Sequence, residues 1–278
     1  MKILLTGSPG IGKSTILEKI RRNYSGAEFG ILSKELKDKS KKRVGFEAIN
    51  HLGRKKTFAH TTDIASRYVV GEKYFVDINV IEKFVVSELE KGIDKPGSLV
   101  FIDEIGRMQA FSDKFLNVVR KLLNIDSNVI ATIVFDPEPW SVEFKENKNV
   151  LLIRVSEKNR DLLPNLLEIM FSCSNTFHQL ARTQQDQVLD LSRKYFEEGK
   201  FIQISKLFKN AIPYLVHNRV KKIDVNKFEI IGNTNTHIVE KLKTGYICDC
   251  DLFNGREEYA NNNGECSHIQ TVKLLEIK

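Results

Sequence analysis

Short unbroken apolar blocks alternate with stretches of helical spacing through the first two-thirds of the chain. Residues 2–6 (KILLT) form one such block, ending in a glycine-rich loop, and STILEKIRRNY then sets Ile16, Leu17 and Ile20 on one helical face. Segments 27–36 and 42–50 read as two strands joined by a lysine-rich turn, and 78–91 (INVIEKFVVSELEK) as an amphipathic helix ended by Gly92. SLVFIDEIG at 98–106 has the continuous apolar character of a strand buried on both faces. A helix at 112–124, a strand at 128–134, a short helix near 140, a strand at 149–155 and a helix at 158–171 follow. Strands separated by helices predict an α/β domain with a mainly parallel sheet covered on both faces.

The pattern changes near residue 176, where SNTFHQLARTQQDQ is polar and lacks a strong period. A boundary there divides the chain into domains 1–176 and 177–278. The second carries helical patterns at 186–198 and about 202–217, strand candidates at 228–232, 236–242 and 245–250, and a closing helix. This composition of elements predicts a small α+β domain.

Composition narrows the class. With 41% hydrophobic and 28% charged residues in 278, the chain has the make-up of a soluble globular protein, and it lacks the run of about eighteen apolar residues a membrane span needs. MKILLTG is too soon broken by Gly7 and Pro9 for a signal peptide, so a cytoplasmic location is expected. Thiols there stay reduced, and clustered cysteines point to metal rather than disulfides. The formal charge of +7 suits a nucleic-acid partner, but it is spread out: residues 1–178 hold 28 basic and 23 acidic residues, and those beyond hold 15 and 13. The densest run, SKELKDKSKKR at 33–43, reads as a solvated turn or a phosphate-facing surface.

Gly7, Gly12, Lys13 and Ser14 satisfy G-x4-G-K-[ST] between a strand and a helix, the context that phosphate binding requires. Such a loop turns consecutive N–H groups toward phosphates and adds the positive end of the following helix. Lys13 is expected on the β and γ phosphates and Ser14 on Mg²⁺. The complementary acid comes from LVFIDEIG, where Asp103 is expected to hold magnesium and Glu104 to orient and deprotonate an attacking water. Two other readings of Glu104 stay open: a solvated carboxylate at a strand end, or the base of a small-molecule kinase. No arginine-rich lid is evident, although Arg54, Arg67 and Arg107 keep the kinase in view.

TGSPGIGKST, KRVGFEAINHLGRKKTFAH, VGEKYFVD with FIDEIGRMQ, and VSEKNRDLLP occur in that order. Over residues 1–172 the chain resembles the small P-loop nucleoside-triphosphatases first described from thermophiles, also called cancer-related nucleoside-triphosphatases. The resemblance implies a RecA-like fold and Mg²⁺-dependent hydrolysis of ATP or GTP. It also implies phosphates on Gly7, Ser8, Pro9, Gly10, Ile11, Gly12, Lys13, Ser14 and Thr15, with metal and water at Asp103 and Glu104. One departure is ATIVFDPEPW, where Phe135 and Asp136 replace a basic or histidine-containing stretch. Asn159 and Arg160 follow the last strand, either as base contacts or as a helix start.

Near the other end, Cys248, Cys250, Cys266 and His268 are spaced C-x-C-x15-C-x-H. Alternate residues of a strand share a face, so GYICDC would present both sulfurs together, about 4 Å apart on a tetrahedral Zn²⁺. Cys266 would return at the start of the closing helix, whose dipole favours a thiolate. Cys173 lacks such neighbours and reads as a packed free thiol. The spacing resembles the SWIM zinc finger over about residues 219–276, implying one structural Zn²⁺ and contact with DNA, RNA or protein. For a nucleic acid, Lys221, Lys222, Lys241 and Lys243 would meet the phosphates. Two functions follow: a nucleoside-triphosphatase carrying a zinc-stapled recognition module, or a nucleotide-dependent binding switch with slow turnover.

Overall fold

A strand buried on both faces tolerates no polar side, and the unbroken apolar blocks accordingly occupy the middle of a sheet. The computed structural model describes residues 1–254 and 265–276. They fall into two units, Met1–Glu168 and Ile169–Lys278. The strands of the first are β1 (Lys2–Thr6), β2 (Glu28–Lys37), β3 (Arg43–Asn50), β4 (Lys55–His60), β5 (Val69–Val70), β6 (Tyr74–Val76), β7 (Leu99–Ile105), β8 (Asn128–Ile133) and β9 (Val150–Arg154). They make one nine-stranded sheet ordered β5-β6-β4-β3-β2-β7-β8-β1-β9. From β2 to β9 neighbours run parallel, and from β2 to β5 they run antiparallel.

The sheet has the parallel part expected from the alternation of strands and helices, joined to an antiparallel extension. The two strands expected at 27–36 and 42–50 begin an antiparallel extension that continues through β4, β5 and β6. Its short strands, with alternating or intermediate burial, carry less apolar signal than the central ones. Helices α1 (Lys13–Asn23), α2 (Ile78–Val80, Ile81–Val86 and Ser87–Ile93 in one run, the middle part π-helical), α3 (Asp113–Asn124) and α4 (Pro139–Lys145) accompany it. α5 (Leu163–Ser172) starts later than the expected 158. Gly92 does not end α2, which runs to Ile93. It lies where a Cβ would stand 2.5 Å from Val100 Cγ2 on β7, so it permits close helix-to-strand approach.

The second unit begins earlier than the expected boundary at 176, because the polar stretch there is structured. It forms α6 (Ser174–His178) and the start of α7 (Arg182–Glu197), and it buries Phe177 and Leu180, with Phe177 stacked on Phe208 at 6.3 Å between centroids. A further helical run, α8, comprises Phe201–Lys206, Leu207–Ala211 and Ile212–Val216. Strands β10 (Val220–Asp224), β11 (Lys227–Ile231), β12 (Thr236–Leu242) and β13 (Gly245–Cys248) form an antiparallel sheet in sequence order. Then come α9 (Asp251–Asn254) and α10 (Ser267–Glu276). No helix among the described residues is long and apolar enough to cross a membrane.

Candidate active site and metal centre

β1 delivers the chain into the loop at Gly7, where φ is +146° and a Cβ would stand 2.7 Å from the Val155 carbonyl oxygen. Gly12 takes φ 110° and ψ 13° as the residue before α1, and no side chain caps that helix. Its first turn holds no acidic residue. The early N–H groups of α1 are thus available to an anion, with no carboxylate competing. Lys13 Nζ donates to the carbonyls of Gly7 at 2.7 Å and Ser8 at 3.1 Å, so its ammonium lies over the loop it would share with phosphates.

The acids stand at the end of β7. Asp103 is buried and accepts a hydrogen bond from Thr132 Oγ1 at 2.5 Å. Burial pushes its carboxyl above the ordinary range, against hydrogen bonds from Thr132 and Ser14 and the charge of Lys13. Burial, then the charge of Asp103, likewise pushes Glu104 up, against Lys13 and Arg107. Two crowded carboxyls facing an ammonium and a hydroxyl form a site that a divalent cation would relieve. A Cβ on Gly106 would stand 2.8 Å from Glu104 Oε1, so that glycine makes room for the carboxylate.

Gly7, Pro9, Gly10, Gly12, Lys13, Ser14, Thr15, Asp103 and Glu104 line one cavity of about 550 Å³. Ser8 and Ile11 are not among its lining residues, although Ser8 contributes the carbonyl that Lys13 reaches. Sequence reasoning missed a second wall, from Ser33, Glu35, Phe46, Phe58, Val70 and Met108. Phe135 and Asp136 also line the cavity, and Asp136 and Glu138 hold Arg107 at 3.0 Å and 2.6 Å. Arg54 and Arg67 do not line it. Asn159 is used locally: its Oδ1 accepts from Ser156 N at 2.8 Å and its Nδ2 donates to the Arg154 carbonyl. It acts as a turn residue.

In the second unit the nitrogen of His268 and the sulfurs of Cys248, Cys250 and Cys266 all lie within 4.8 Å of one another, and all four residues are buried. Cys248 Sγ is 3.6 Å and Cys266 Sγ 4.0 Å from His268 Nδ1. A tetrahedral zinc with bonds near 2.3 Å to sulfur and 2.0–2.1 Å to nitrogen sets that edge at about 3.6 Å, so the donors fit. The two strand-borne sulfurs expected on one face arise differently. β13 ends at Cys248, and Cys250 reaches the cluster from the bend beyond it. The Cys266 thiol is pushed up to about 12, first by its hydrogen bond with Cys248. Hydrogen bonding with Cys266 and burial also push Cys250 up. The excursion between Cys250 and Cys266 lies largely outside the described residues.

Around this cluster His237 stacks on His268 with centroids 4.4 Å apart, and Tyr214 packs on the same ring at 5.6 Å. The four lysines expected at a nucleic-acid phosphate are exposed. Lys241 is paired with Glu276 at 2.9 Å and Lys222 covers the Phe228 ring at 5.5 Å.

A family model described as NTPase matches residues 2–168. Nucleoside-triphosphatase THEP1 of Thermotoga maritima is 38% identical over 165 residues, 59% of this chain and 92% of the relative. Nucleoside-triphosphatase THEP1 of Aquifex aeolicus is 34% identical over 178 residues, 61% and 99% of the two chains. The crystal structure of THEP1 from Aquifex aeolicus superposes with a TM-score of 0.54 at 31% identity, covering 60% of this chain and 96% of that one.

Proposed function

The chain belongs to the NTPase family and is a nucleoside-triphosphatase, and from that premise we propose that it hydrolyses ATP and GTP in a Mg²⁺-dependent reaction with Glu104 as the base. The α1 N-terminus and the loop from Gly7 to Thr15 bind the phosphates, and Lys13 exchanges its carbonyl contacts for β and γ oxygens. Ser14 and Asp103 would hold Mg²⁺, which when bound neutralises phosphate charge. Glu104 orients a water against the γ-phosphorus and takes its proton, a role helped by a carboxyl already shifted above its ordinary range. The observation that carries this reading is the convergence of Lys13, Ser14, Asp103 and Glu104 on one cavity.

Glu104→Gln tests it. The variant is expected to bind ATP as the parent does and to lose phosphate release by about 10²-fold or more, the scale of general-base catalysis. Release at the parental rate would remove Glu104 from the mechanism.

The same proposal includes one structural Zn²⁺ on Cys248, Cys250, Cys266 and His268, supported by their mutual distances and burial. Its chemistry there is cross-linking: it ties the end of β13 to the start of α10. The stapled unit is read as a recognition module for DNA, RNA or protein. Its exposed lysines favour nucleic acid, and the pairing of Lys241 limits the affinity expected.

A further inference from the structure

The hairpin of β2 and β3 carries a charge that neither the phosphate loop nor the Cys/His cluster uses. Residues 34–56 hold nine basic and three acidic residues, a net +6 out of the formal +7 of the whole chain. All nine cations are exposed. Glu35 pairs with Lys37 at 3.6 Å and Arg43 at 2.6 Å, and Glu47 pairs with Lys55 at 3.2 Å. No carboxylate pairs with Lys34, Lys39, Lys41, Arg54 or Lys56 among the described residues. Gathering like charge on one element costs self-repulsion, which a polyanion on that surface removes.

The hairpin also has a shape suited to such a partner. β2 runs beside β7 only as far as Leu32, opposite Asp103, and β3 runs beside β4 as far as Gly45, opposite His60. Past Leu36 and Gly45 it pairs with no third strand among the described residues and is a two-stranded ribbon. Asp38 holds its end: Oδ1 accepts from Ser40 N at 2.8 Å, Ser40 Oγ at 2.7 Å and Lys42 N at 2.9 Å. Lys41 N donates to the Asp38 carbonyl at 3.0 Å, and Lys41 itself sits at φ +62°, the left-handed region that glycine fills most easily in hairpin turns. The turn thus keeps a lysine where the backbone favours glycine, and it presents Lys39, Lys41 and Lys42 from a fixed end. Farther along, Leu32, Lys34 and Leu36 share one face, opposite Ile49, Glu47 and Gly45. The aromatic rings of the hairpin region, Phe46 and Phe58, pack in the core instead.

We propose that this hairpin is a binding surface for duplex DNA, with its ribbon end in the major groove and its lysines on the flanking phosphates. The major groove of B-form DNA, about 12 Å wide, admits a two-stranded β-ribbon. Duplex RNA offers a deep, narrow major groove that such an end does not enter. A single strand is gripped largely by stacking on aromatic rings, and the exposed surface of the hairpin lacks them. Contacts of lysine with phosphate carry no sequence information, so recognition is of the duplex rather than of a base sequence. The surface belongs wholly to the first unit, whereas Lys221, Lys222, Lys241 and Lys243 belong to the second. It needs neither bound nucleotide nor zinc, so its test stands apart from the hydrolytic and zinc readings.

The test titrates a short fluorescent DNA duplex with the full chain at several salt concentrations and reads anisotropy. Affinity should fall steeply between about 50 and 200 mM salt, as counterion release requires. Lys39→Gln, Lys41→Gly and Lys42→Gln combined should weaken binding about tenfold or more at the lower salt. The same variant should reduce the slope of log affinity against log salt by about three, one for each phosphate contact. Lys41→Gly relieves the turn rather than straining it, so melting temperature and ATP hydrolysis without DNA should stay at parental values. Lys34→Gln with Lys56→Gln, a second variant should the first fail to fold, should reduce the slope by about two. No binding of duplex DNA at the lower salt overturns the proposal. Parental affinity in the turn variant, with binding lost in Lys221→Gln with Lys222→Gln, moves the DNA to the second unit and overturns the hairpin as its site. Duplex RNA or single-stranded DNA bound as tightly as duplex DNA overturns the groove.

Discussion

Gly106 holds no side chain, and that absence keeps Glu104 in position. A Cβ there would stand 2.8 Å from Glu104 Oε1, 3.0 Å from its Cγ and 2.9 Å from Gln109 Oε1. The atoms it meets are flexible side-chain atoms, so Gly106→Ala should be relieved by moving the Glu104 carboxylate rather than the backbone. Displacements near 1 Å cost about 10²-fold in rate when a base is misaligned. Gly106→Ala should therefore lower the rate constant for phosphate release on that scale and leave ATP affinity and melting temperature nearly unchanged. Steady-state kinetics with a binding titration checks this, and an equal fall in affinity would place the fault in the phosphate loop instead. Lys13, Ser14, Asp103 and Glu104 were legible because each lies in a contiguous motif whose backbone conformation creates the site. Ser33 and Phe46 were not. Their places at the cavity depend on which strand lies beside β7 and which way its residues face, and pairing across the chain decides that.

At the scale of elements, the turn after β3 is anchored to α2 through Glu88, which is 1% exposed. Asn50 Nδ2 donates to its Oε2 at 3.2 Å, Lys91 Nζ donates to the same oxygen at 3.0 Å, and His51 Nδ1 contacts Oε1. Burial alone would raise this carboxyl and is the largest single influence, but the hydrogen bonds and charges of Lys91 and His51 together hold it below its ordinary value. Since the folded value is the lower one, the stabilisation is full above the unfolded glutamate value of about 4.3 and is lost as pH falls through the folded value. Glu88→Gln should cost about 1.5–3 kcal/mol at neutral pH, the range for hydrogen bonds to a charged group. Its deficit relative to the parent should shrink below the ordinary glutamate range. Denaturant melts at several pH values measure this, and a deficit independent of pH would show that charge is not what Glu88 contributes. The helix carrying Glu88 was legible from its apolar period, but its end was not. Gly92 looks like a stop signal in sequence, whereas its neighbour Val100 on β7 explains it by packing.

Over the whole chain, the two units are built around different cores. The first surrounds a broad sheet with a large apolar core, including Leu4, Val100, Ile102, Val119 and Val129. The second gathers Tyr214, Phe228, Ile230, Val239, Ile269 and Val272 with Cys248, Cys250 and Cys266, so its cysteines stand inside the core they would staple. The C-x-C and C-x-H spacings made that cluster visible from sequence. The boundary was less visible, because a polar stretch that resembles a linker folds into helices anchored by Phe177 and Leu180. Metal binding contributes about 10–16 kcal/mol in zinc-finger peptides, as much as the about 5–15 kcal/mol by which a domain is normally stable. Removing zinc should therefore unfold residues 169–278, whereas the first unit, with a core of its own, should stay folded. The full chain as purified should contain one zinc. A strong chelator, or Cys250→Ser, should expose residues beyond about 169 to proteolysis while ATP binding by the remainder persists. Mass spectrometry of the digest and elemental analysis check this together: metal-free protein that resists proteolysis would remove the staple, and loss of ATP binding with the zinc would make the first unit's stability depend on the second.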